Sequence, residues 1–372
     1  DRGSGGWEVP RPPLPARPQT VPLSLCWTPP ASHPNAQILE DQIVPLEPGA
    51  EAAAVFNSGM AAISTAFFTF CGTGASFVYT TPVYGGTQHL IHQVLEPLGM
   101  HGVAVPAGGG SALAEAIATT DRLRMVFIET PANPTLRMTD IAAGCRAAAL
   151  REDRVLVAVD NTFLGPTFQH PLTLGADLAI YSATKYLSGF SDMLGGVILS
   201  RDPELVTQLR GTRALLGNIL QPDECWLLDG RLPTVTLRMN RQSKNAERIV
   251  RALTGHPAIE RIHYPLLFTD PEQVRIRDAQ CKFPGGIFSF ELRGGKRAAF
   301  EFLRRLRIGR DAVSLGGVET LACHPSTTTH SELSEGEKDR AGITDGLVRI
   351  SVGIEDWRDV LADIRGALDL VA

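Results

Sequence analysis

The stretch Leu178-Ala-Ile-Tyr-Ser-Ala-Thr-Lys185 decides the fold and the chemistry that this sequence predicts. Leu178–Tyr181 is a short apolar run and indicates a buried β-strand. Ser182 and Thr184 follow it directly, and their hydroxyl groups can hydrogen-bond a phosphate. A lysine after a strand is usually a solvated surface charge, so the interpretation of Lys185 depends on its surroundings. A lysine amine that lies beside a phosphate and against an apolar wall is under the two influences that allow it to form a Schiff base.

Similar apolar runs alternate with helical patterns from Ala54 to about Ser200. The predicted strands are Ser76–Tyr79, Gly102–Val105, Met125–Ile128, Val155–Val159, Leu178–Tyr181 and Gly196–Leu199. Helical stretches such as Met60–Phe70 and Thr87–Leu98 separate several of them. This alternation predicts an α/β fold with a mostly parallel sheet covered on both faces. Ligands of such sheets bind at the carboxyl ends of the strands.

The pattern changes after about Pro233, where strands and helices no longer alternate. The predicted elements there are a helix over Arg238–Leu253, strands over Gly286–Leu292 and Leu347–Val352, and a closing helix over Asp356–Leu370. We therefore predict an N-terminal arm or linker over residues 1–46, a large cofactor-binding domain over 47–232 and a smaller α+β domain over 233–372. The Pro/Arg-rich stretch Val9–Pro22 and the start at Asp1 indicate a domain cut from a longer polypeptide.

Composition narrows the class of protein. Hydrophobic residues make up 44% and charged residues 20% of the 372 residues, as in ordinary globular proteins. The net charge of -5 gives no reason to expect nucleic acid or a membrane surface as a partner. No apolar run of about 18 residues and no signal peptide is evident. The six cysteines lack C-x-x-C spacing, so we expect a cytoplasmic protein with neither a metal site nor a disulfide framework.

Polar residues follow other predicted strands. Asp160 ends the strand Val155–Val159, where its carboxylate could keep a pyridine nitrogen protonated, although a turn aspartate is the commoner case. Asn57-Ser-Gly-Met60 precedes a helix, whose free amides form an anion site that Gly59 leaves open.

Two further side chains suit a cofactor and an amino-acid substrate. Tyr84 could stack on a cofactor ring, although a core or turn tyrosine is equally common. Arg349 lies in the apolar strand Leu347–Val352, and its planar fork matches the carboxylate of an α-amino acid. The alternative for Arg349 is an internal salt bridge.

Together these segments resemble the cysteine/methionine-metabolism family of pyridoxal 5′-phosphate (PLP) enzymes, which includes cystathionine γ-synthases, cystathionine lyases and methionine γ-lyases. The resemblance runs from about Pro34 to the C-terminus. It rests on Ser58-Gly-Met-Ala-Ala-Ile63, Tyr84-Gly-Gly-Thr87, Glu129-Thr-Pro-Ala-Asn-Pro-Thr135, Asp160-Asn-Thr162, Ser182-Ala-Thr-Lys-Tyr186, Leu237-Arg-Met-Asn240, Ser314-Leu-Gly-Gly317 and Leu347-Val-Arg-Ile-Ser-Val-Gly-Ile-Glu355.

The resemblance implies the aspartate-aminotransferase-like fold, which is fold type I of PLP enzymes, and a homodimer or homotetramer. It implies that Lys185 is the Schiff-base lysine and proton shuttle, and that Tyr84 stacks on the ring and helps to deprotonate the substrate amine. The other implied cofactor-binding residues are Asp160 with Thr162 at the pyridine nitrogen, Asn133 near the ring hydroxyl, and Ser58, Gly59, Met60, Ser182 and Thr184 around the phosphate. Ser314 and Arg349 would hold the substrate carboxylate.

The sequence departs from the family pattern in and near the expected substrate pocket. Trp27–Pro34 lacks the Tyr-x-Arg that usually reaches the neighbouring subunit's phosphate, so either a basic residue of the Arg11–Arg17 arm replaces it or the phosphate is held more weakly. At four other positions this chain differs from its relatives. It has Phe190 where a histidine is usual and Val313 where cystathionine γ-lyases have a glutamate. It has Gly86 where methionine γ-lyases have a cysteine, and His89 where some cystathionine lyases have an arginine.

We therefore predict a PLP-dependent carbon–sulfur lyase that eliminates a thiol from a cysteine-type or homocysteine-type thioether and yields a 2-oxo acid and ammonia. One hypothesis is a cysteine-lyase domain within a multidomain biosynthetic enzyme such as a polyketide synthase, covalently linked to its other domains. An alternative is a γ-replacement synthase that acts on an activated homoserine. A non-catalytic scaffold is the remaining alternative.

Overall fold

The computed structural model describes residues 32–108 and 110–371. Its larger sheet consists of β1 (Ala52–Phe56), β2 (Ser76–Thr81), β3 (His101–Pro106), β4 (Leu123–Glu129), β5 (Leu156–Asp160), β6 (Leu178–Ser182) and β7 (Gly196–Ser200). The spatial order is β1-β7-β6-β5-β4-β2-β3. From β6 to β3 neighbouring strands are parallel, whereas β7 is antiparallel to both β6 and β1. This sheet confirms the prediction of a mostly parallel α/β core.

A smaller, mainly antiparallel sheet lies in the C-terminal part. Its strands are β8 (Ile259–His263), β9 (Ile287–Leu292), β10 (Arg310–Asp311), β11 (Leu321–Cys323) and β12 (Leu347–Ser351), in the order β10-β11-β12-β9-β8. The helices of the described residues are α1 (Pro34–Ile43), α2 (Gly59–Phe70), α3 (Gly85–Leu90), α4 (Gly110–Thr119), α5 (Ile141–Ala149), α6 (Pro203–Leu216), α7 (Pro222–Asp229), α8 (Val235–Leu253), α9 (Pro271–Gln280), α10 (Gly295–Arg305), α11 (Glu335–Ala341) and α12 (Trp357–Leu368). The predicted domain boundaries at residues 46 and 232 stay predictions.

Side chains of the central strands are buried on both faces of the larger sheet. In β4, Met125 and Phe127 pack in a cluster with α2 and α6, whereas Val126 and Ile128 pack in another with α4 and α5. Successive side chains of a strand point to opposite faces, so an unbroken apolar run such as β4 needs helices on both sides. This burial holds the strand ends in fixed positions, and the carboxyl ends of β4, β5 and β6 carry the candidate site.

Some elements differ from their predicted form. The predicted helix Thr87–Leu98 begins as α3 and continues as a π-helical turn over Ile91–Leu95. His263 ends β8, and a short 3₁₀ turn follows over Pro265–Leu267. The sequence Ala52-Ala-Ala-Val-Phe56 carries no strong strand signal because alanine is depleted in strands, yet it forms β1 by pairing with β7.

The end of the predicted N-terminal arm is folded against the protein core. Residues 1–31 lie outside the described residues, but α1 begins at Pro34, where the His33 side chain accepts the Ala36 N–H. The α1 side chains of Leu39 and Ile43 are buried in the same cluster as β1, β6 and β7. Over the described part of the chain, no helix is both long and apolar enough to cross a membrane.

Candidate active site

The carboxyl ends of β4, β5 and β6 meet at one cavity of about 210 Å³, together with the start of α2 and part of β12. The predicted site residues that line it are Ser58, Gly59, Met60, Tyr84, Asn133, Asp160, Thr162, Ser182, Thr184, Lys185 and Arg349. Ser314 is joined to them through a hydrogen bond from Lys185 Nζ to Ser314 Oγ at 3.1 Å. The structure thus brings together residues from seven separate motifs; their individual roles stay predictions.

Lys185 lies in the turn that follows β6, with its amine directed to the cavity. The Lys185 N–H donates to the Ser182 carbonyl at 3.1 Å, and the Gly189 N–H donates to the Lys185 carbonyl at 2.8 Å, so its backbone is held on both sides. Burial, followed by the nearby Arg349 charge, lowers the pKa of the Lys185 amine to about 8. The uncharged amine is therefore far more populated near neutral pH than it is in an ordinary lysine.

Asp160 is the last residue of β5, and its carboxyl group is fixed by the residue two positions later. Its Oδ1 accepts the Thr162 N–H at 3.0 Å and the Thr162 hydroxyl at 2.6 Å. The same hydroxyl oxygen accepts the Ser182 N–H at 2.9 Å and so ties the ends of β5 and β6 together. Burial raises the pKa of Asp160, while both hydrogen bonds from Thr162 oppose that change because they favour the carboxylate.

The start of α2 forms the anion end of the cavity. Ser58 Oγ accepts the Ala61 N–H at 3.0 Å and caps the helix, and Gly59 and Met60 begin its first turn, where backbone N–H groups lack intrahelical acceptors. A Cβ on Gly59 would lie 2.9 Å from the Ser182 Cβ, so only glycine lets α2 approach β6 this closely. Thr184 Oγ1 accepts the Gly195 N–H at 3.1 Å, and this bond fixes the turn beside that helix end.

These groups fit PLP. The cavity is lined by a buried carboxylate that suits a pyridine nitrogen, by hydroxyl groups and helix amides that suit a phosphate, and by an amine of lowered pKa. A metal ion has no comparable donor set: among the described residues, no cluster of three or more metal-binding side chains is present.

Arg349 enters the cavity from β12 and is held almost entirely inside the protein. Its Nη1 donates to Asn133 Oδ1 at 3.1 Å, and its Nη2 donates to the carbonyls of Val313 and Ser314 at 2.8 and 3.0 Å. Its Nε is buried without a hydrogen-bond partner among the described residues. Within the described residues no carboxylate pairs with Arg349. The internal salt bridge, which was the alternative interpretation of Arg349 in the sequence, is therefore absent from this part of the chain.

The backbone of Tyr84 is held by Glu129, an acidic residue to which the sequence analysis gave no role. The Tyr84 N–H donates to Glu129 Oε2 at 2.8 Å, and the phenol ring is 47% exposed at the cavity. Glu129 ends β4 and lines the same cavity. The sequence does contain a signal for Glu129, because this residue, like Asp160, follows an apolar run at the carboxyl end of a parallel strand.

The rest of the lining is mostly apolar. It comprises Ile63, Pro131, Phe163, Leu194, Val313, Leu315 and Thr329. Ile63, Pro131 and Leu315 lie within the motifs that carry the resemblance, and Val313 is one of the departures from the family pattern. Gly86 and His89 are not among the lining residues, and Phe190 stacks instead against Arg231, whose guanidinium lies 4.8 Å from the ring centroid. Of the departing stretch Trp27–Pro34, residues 27–31 lie outside the described residues, and His33 caps α1 away from the cavity.

Known proteins match the chain along nearly its whole length. The family described as Cys/Met metabolism PLP-dependent enzyme matches residues 31–369. The L-methionine gamma-lyase of Pseudomonas deceptionensis is 41% identical over 92% of this chain and 84% of its own. The cystathionine gamma-lyase of Bacillus subtilis is 39% identical over 91% of this chain and 87% of its own.

Solved structures agree with these sequence matches. A cystathionine gamma synthase from Xanthomonas oryzae pv. oryzae in complex with cystathionine superposes with a TM-score of 0.87 at 35% identity, covering 92% of this chain and 87% of that one. The predicted resemblance, the fold type I architecture, the PLP cofactor and the predicted enzyme class, a PLP-dependent carbon–sulfur lyase, are thereby confirmed. This chain belongs to the Cys/Met metabolism family of PLP-dependent enzymes.

Proposed function

We propose that this enzyme eliminates a thiol from a cysteine-type or homocysteine-type thioether. With one water molecule per substrate, the products are the thiol, a 2-oxo acid and ammonia. The observation that carries this proposal is the position of the Lys185 amine, between the Ser314 hydroxyl and the Arg349 guanidinium, in a cavity with an apolar far wall. Relatives named as methionine and cystathionine lyases support the same reaction type.

The chain's own groups define how the cofactor would be held. When bound, PLP supplies an electron sink for negative charge that develops at the substrate Cα. Asp160, fixed by Thr162, would hold the pyridine nitrogen, and Tyr84 would cover the ring. The first turn of α2, with Ser182 and Thr184, would receive the phosphate.

Lys185 is proposed to carry the substrate's Cα proton. Burial and the Arg349 charge both favour the neutral amine, which is the form that can accept a proton. The hydrogen bond to Ser314 Oγ keeps Nζ in the cavity rather than in solvent. For a substrate with one more carbon before sulfur, the same amine would carry out a further proton transfer, in which it removes a proton from Cβ before the thiol leaves Cγ.

Arg349 is proposed to bind the substrate carboxylate. Its two terminal nitrogens already donate to Asn133 Oδ1 and to two backbone carbonyls, which orients the guanidinium plane. The buried Nε has no acceptor among the described residues, and leaving such a donor unsatisfied costs about 1–3 kcal/mol. A carboxylate that accepts from Nε would remove that cost, so an α-carboxylate is favoured there.

The far wall of the cavity favours a nonpolar group on sulfur. Leu194 and Val313 are half exposed or more and line the opening, where a distal amino-acid group of the substrate would otherwise need charged partners. Among the described lining residues the acidic and basic side chains are Glu129, Asp160, Lys185 and Arg349, and each of them has a proposed role in holding the cofactor, the substrate carboxylate or Tyr84. We therefore propose an alkyl or bulky apolar thioether as the substrate class.

A γ-replacement synthase is the second candidate, since cystathionine gamma synthases superpose on the chain as well as lyases do. Such an enzyme would join an activated homoserine to a thiol and release no ammonia. A cysteine-lyase domain of a larger biosynthetic enzyme such as a polyketide synthase stays a hypothesis, and so does a cytoplasmic location.

We also propose a homodimer or homotetramer. Large apolar side chains are exposed on the described surface, among them Leu194 at the cavity mouth, Leu215, Trp226 and Leu237, with exposed fractions of 60%, 90%, 74% and 71%. Burying such groups against a second copy removes apolar area from water. Size-exclusion chromatography with light scattering would give the mass; a monomer at micromolar concentration would contradict this proposal.

The reaction is tested with purified PLP-loaded enzyme, S-alkyl-L-cysteines and L-methionine. Pyruvate with ammonia and free thiol supports β-elimination, and 2-oxobutyrate supports γ-elimination. A product formed only from an O-acyl-homoserine and a thiol, without ammonia, would favour the synthase. The matched control is Lys185→Ala, which should release no 2-oxo acid. Loss of all three activities in a protein that still binds PLP would favour the non-catalytic scaffold.

A further inference from the structure

Two carboxyl groups lie side by side at the carboxyl edge of the larger sheet. Glu129 ends β4 and Asp160 ends β5, and the two residues are direct partners across the parallel ladder. Both are buried and both line the cavity. Directly paired residues of neighbouring strands project from the same face, so these carboxyl groups share one environment.

The two cationic side chains that line the same cavity, Lys185 and Arg349, form no ion pair with either carboxyl group in the part of the chain that the structure describes. Among the residues that the structure describes, no lysine, arginine or histidine forms an ion pair with either carboxyl group. Asp160 Oδ1 receives an N–H and a hydroxyl from Thr162, whereas Glu129 receives the backbone N–H of Tyr84. Where two buried carboxyl groups share one environment, the charge of the first to ionise raises the pKa of the second.

We propose that Glu129 is a positioning residue: it remains a neutral acid beside ionised Asp160, and its carboxyl oxygen holds the backbone of Tyr84 in place over the cavity. This inference rests on the proposed cofactor site. The charge of the pair then resides on Asp160, where a pyridine nitrogen would bind, and the tyrosine segment is tied to the end of β4.

The charge assignment follows from the groups that face Glu129. Burial, followed by the charge of Asp160, raises the pKa of Glu129 to about 8, although backbone hydrogen bonds from Tyr84 and Asn133 lower it. Asp160 Oδ1 accepts two hydrogen bonds from Thr162, one of them a hydroxyl bond of 2.6 Å, and both bonds favour its carboxylate form. Asp160 is therefore the first of the two to ionise.

The protonation state is measured by infrared difference spectroscopy of the PLP-loaded enzyme against Glu129→Gln. At pH 7 we expect a protonated carboxyl C=O band in the wild type that is absent from the variant and disappears as the pH rises through about 8. Labelling with ¹³C-glutamate should shift this band, which identifies the residue. A band that follows ¹³C-aspartate instead, or no carboxyl band at pH 7, would overturn the proposal.

The positioning role is measured separately with two variants. Glu129→Gln retains a neutral carbonyl oxygen for the Tyr84 N–H, whereas Glu129→Ala leaves that N–H without its acceptor. We expect kcat of Glu129→Ala to fall about tenfold or more, and Glu129→Gln to recover most of that loss. Equal losses in both variants would contradict the role. The infrared result needs no turnover, so an error in the proposed reaction would leave it unaffected.

Discussion

At the residue scale, the amine of Lys185 should be reactive at lower pH than an ordinary lysine. Its pKa is lowered to about 8, first by burial and then by the Arg349 charge, so the neutral form predominates above that pH and is lost below it. In the cofactor-free enzyme, trace acylation followed by mass spectrometry should give half-maximal labelling of Lys185 near pH 8. The Arg349→Met variant should move that midpoint to higher pH; a midpoint that stays unchanged would contradict the contribution of Arg349.

The side chain of Val313 should decide which thioethers are accepted. It is 54% exposed and lines the cavity, while its backbone carbonyl is already used by Arg349. Val313→Glu places a carboxylate against an apolar distal group, and we expect kcat/KM for an S-alkyl-cysteine to fall by about tenfold or more. A substrate with a distal ammonium group should gain. Val313→Gln is the control for shape, and an equal shift in selectivity there would exclude charge as the cause.

Glu129 marks the limit of prediction at the residue scale. Lys185 and Asp160 stood out because polar residues follow several predicted strands at one edge of the sheet, and Arg349 because a charged residue inside an apolar strand needs a partner. Glu129 has the same signal, but its link to Tyr84 joins positions 45 apart in the sequence, and only the folded chain brings them within 2.8 Å. Thr329 and Leu194 could not be predicted as cavity residues either. Their residue types give no signal in the sequence, and only tertiary packing brings them to the cavity.

At the element scale, the start of α2 should tolerate no side chain at Gly59. A Cβ there would lie 2.9 Å from both Cβ and Oγ of Ser182, so Gly59→Ala must displace the helix from the end of β6. We expect weaker PLP binding, measured by fluorescence titration, and a lower Tm. Gly211→Ala in α6 is the control, since a Cβ there meets no atom within 4 Å and should stabilise that helix by about 0.5–1 kcal/mol. Unchanged PLP affinity in Gly59→Ala would contradict this prediction.

The ends of the strands with unbroken apolar runs were predicted to within one or two residues, because burial of a strand on both faces leaves a strong signal in the sequence. Leu178–Tyr181 corresponds to β6, and Met125–Ile128 lies within β4. β1 was missed because its alanine-rich sequence becomes a strand only by pairing with β7. The short strands β10 and β11 likewise depend on their partners rather than on local propensity.

At the scale of the whole molecule, the candidate site combines both sheets. Asp160 and Lys185 follow strands of the larger sheet, whereas Arg349 lies in β12 of the smaller one and reaches Asn133 across 216 positions of sequence. The sequence predicted a second, smaller unit but not which of its strands would face the cavity, since that depends on how the two sheets pack. Any change that loosens this packing should therefore affect carboxylate binding before it affects the cofactor end.

The N-terminal helix should contribute strongly to the stability of the larger sheet through Glu40. This buried carboxylate accepts the Val55 N–H at 3.0 Å and pairs with Arg213 and Arg210 at 2.7 Å each, so it joins α1, β1 and α6. Glu40→Ala would remove the carboxylate that joins these elements, and breaking a buried ion pair of this kind costs about 3–5 kcal/mol. We expect a clearly lower urea midpoint for the cofactor-free protein, whereas Glu51→Ala, an exposed neighbour, should change it little. If both variants unfolded at the wild-type urea midpoint, the contacts of Glu40 in α1 would contribute little to the stability of the larger sheet, and the prediction would be wrong.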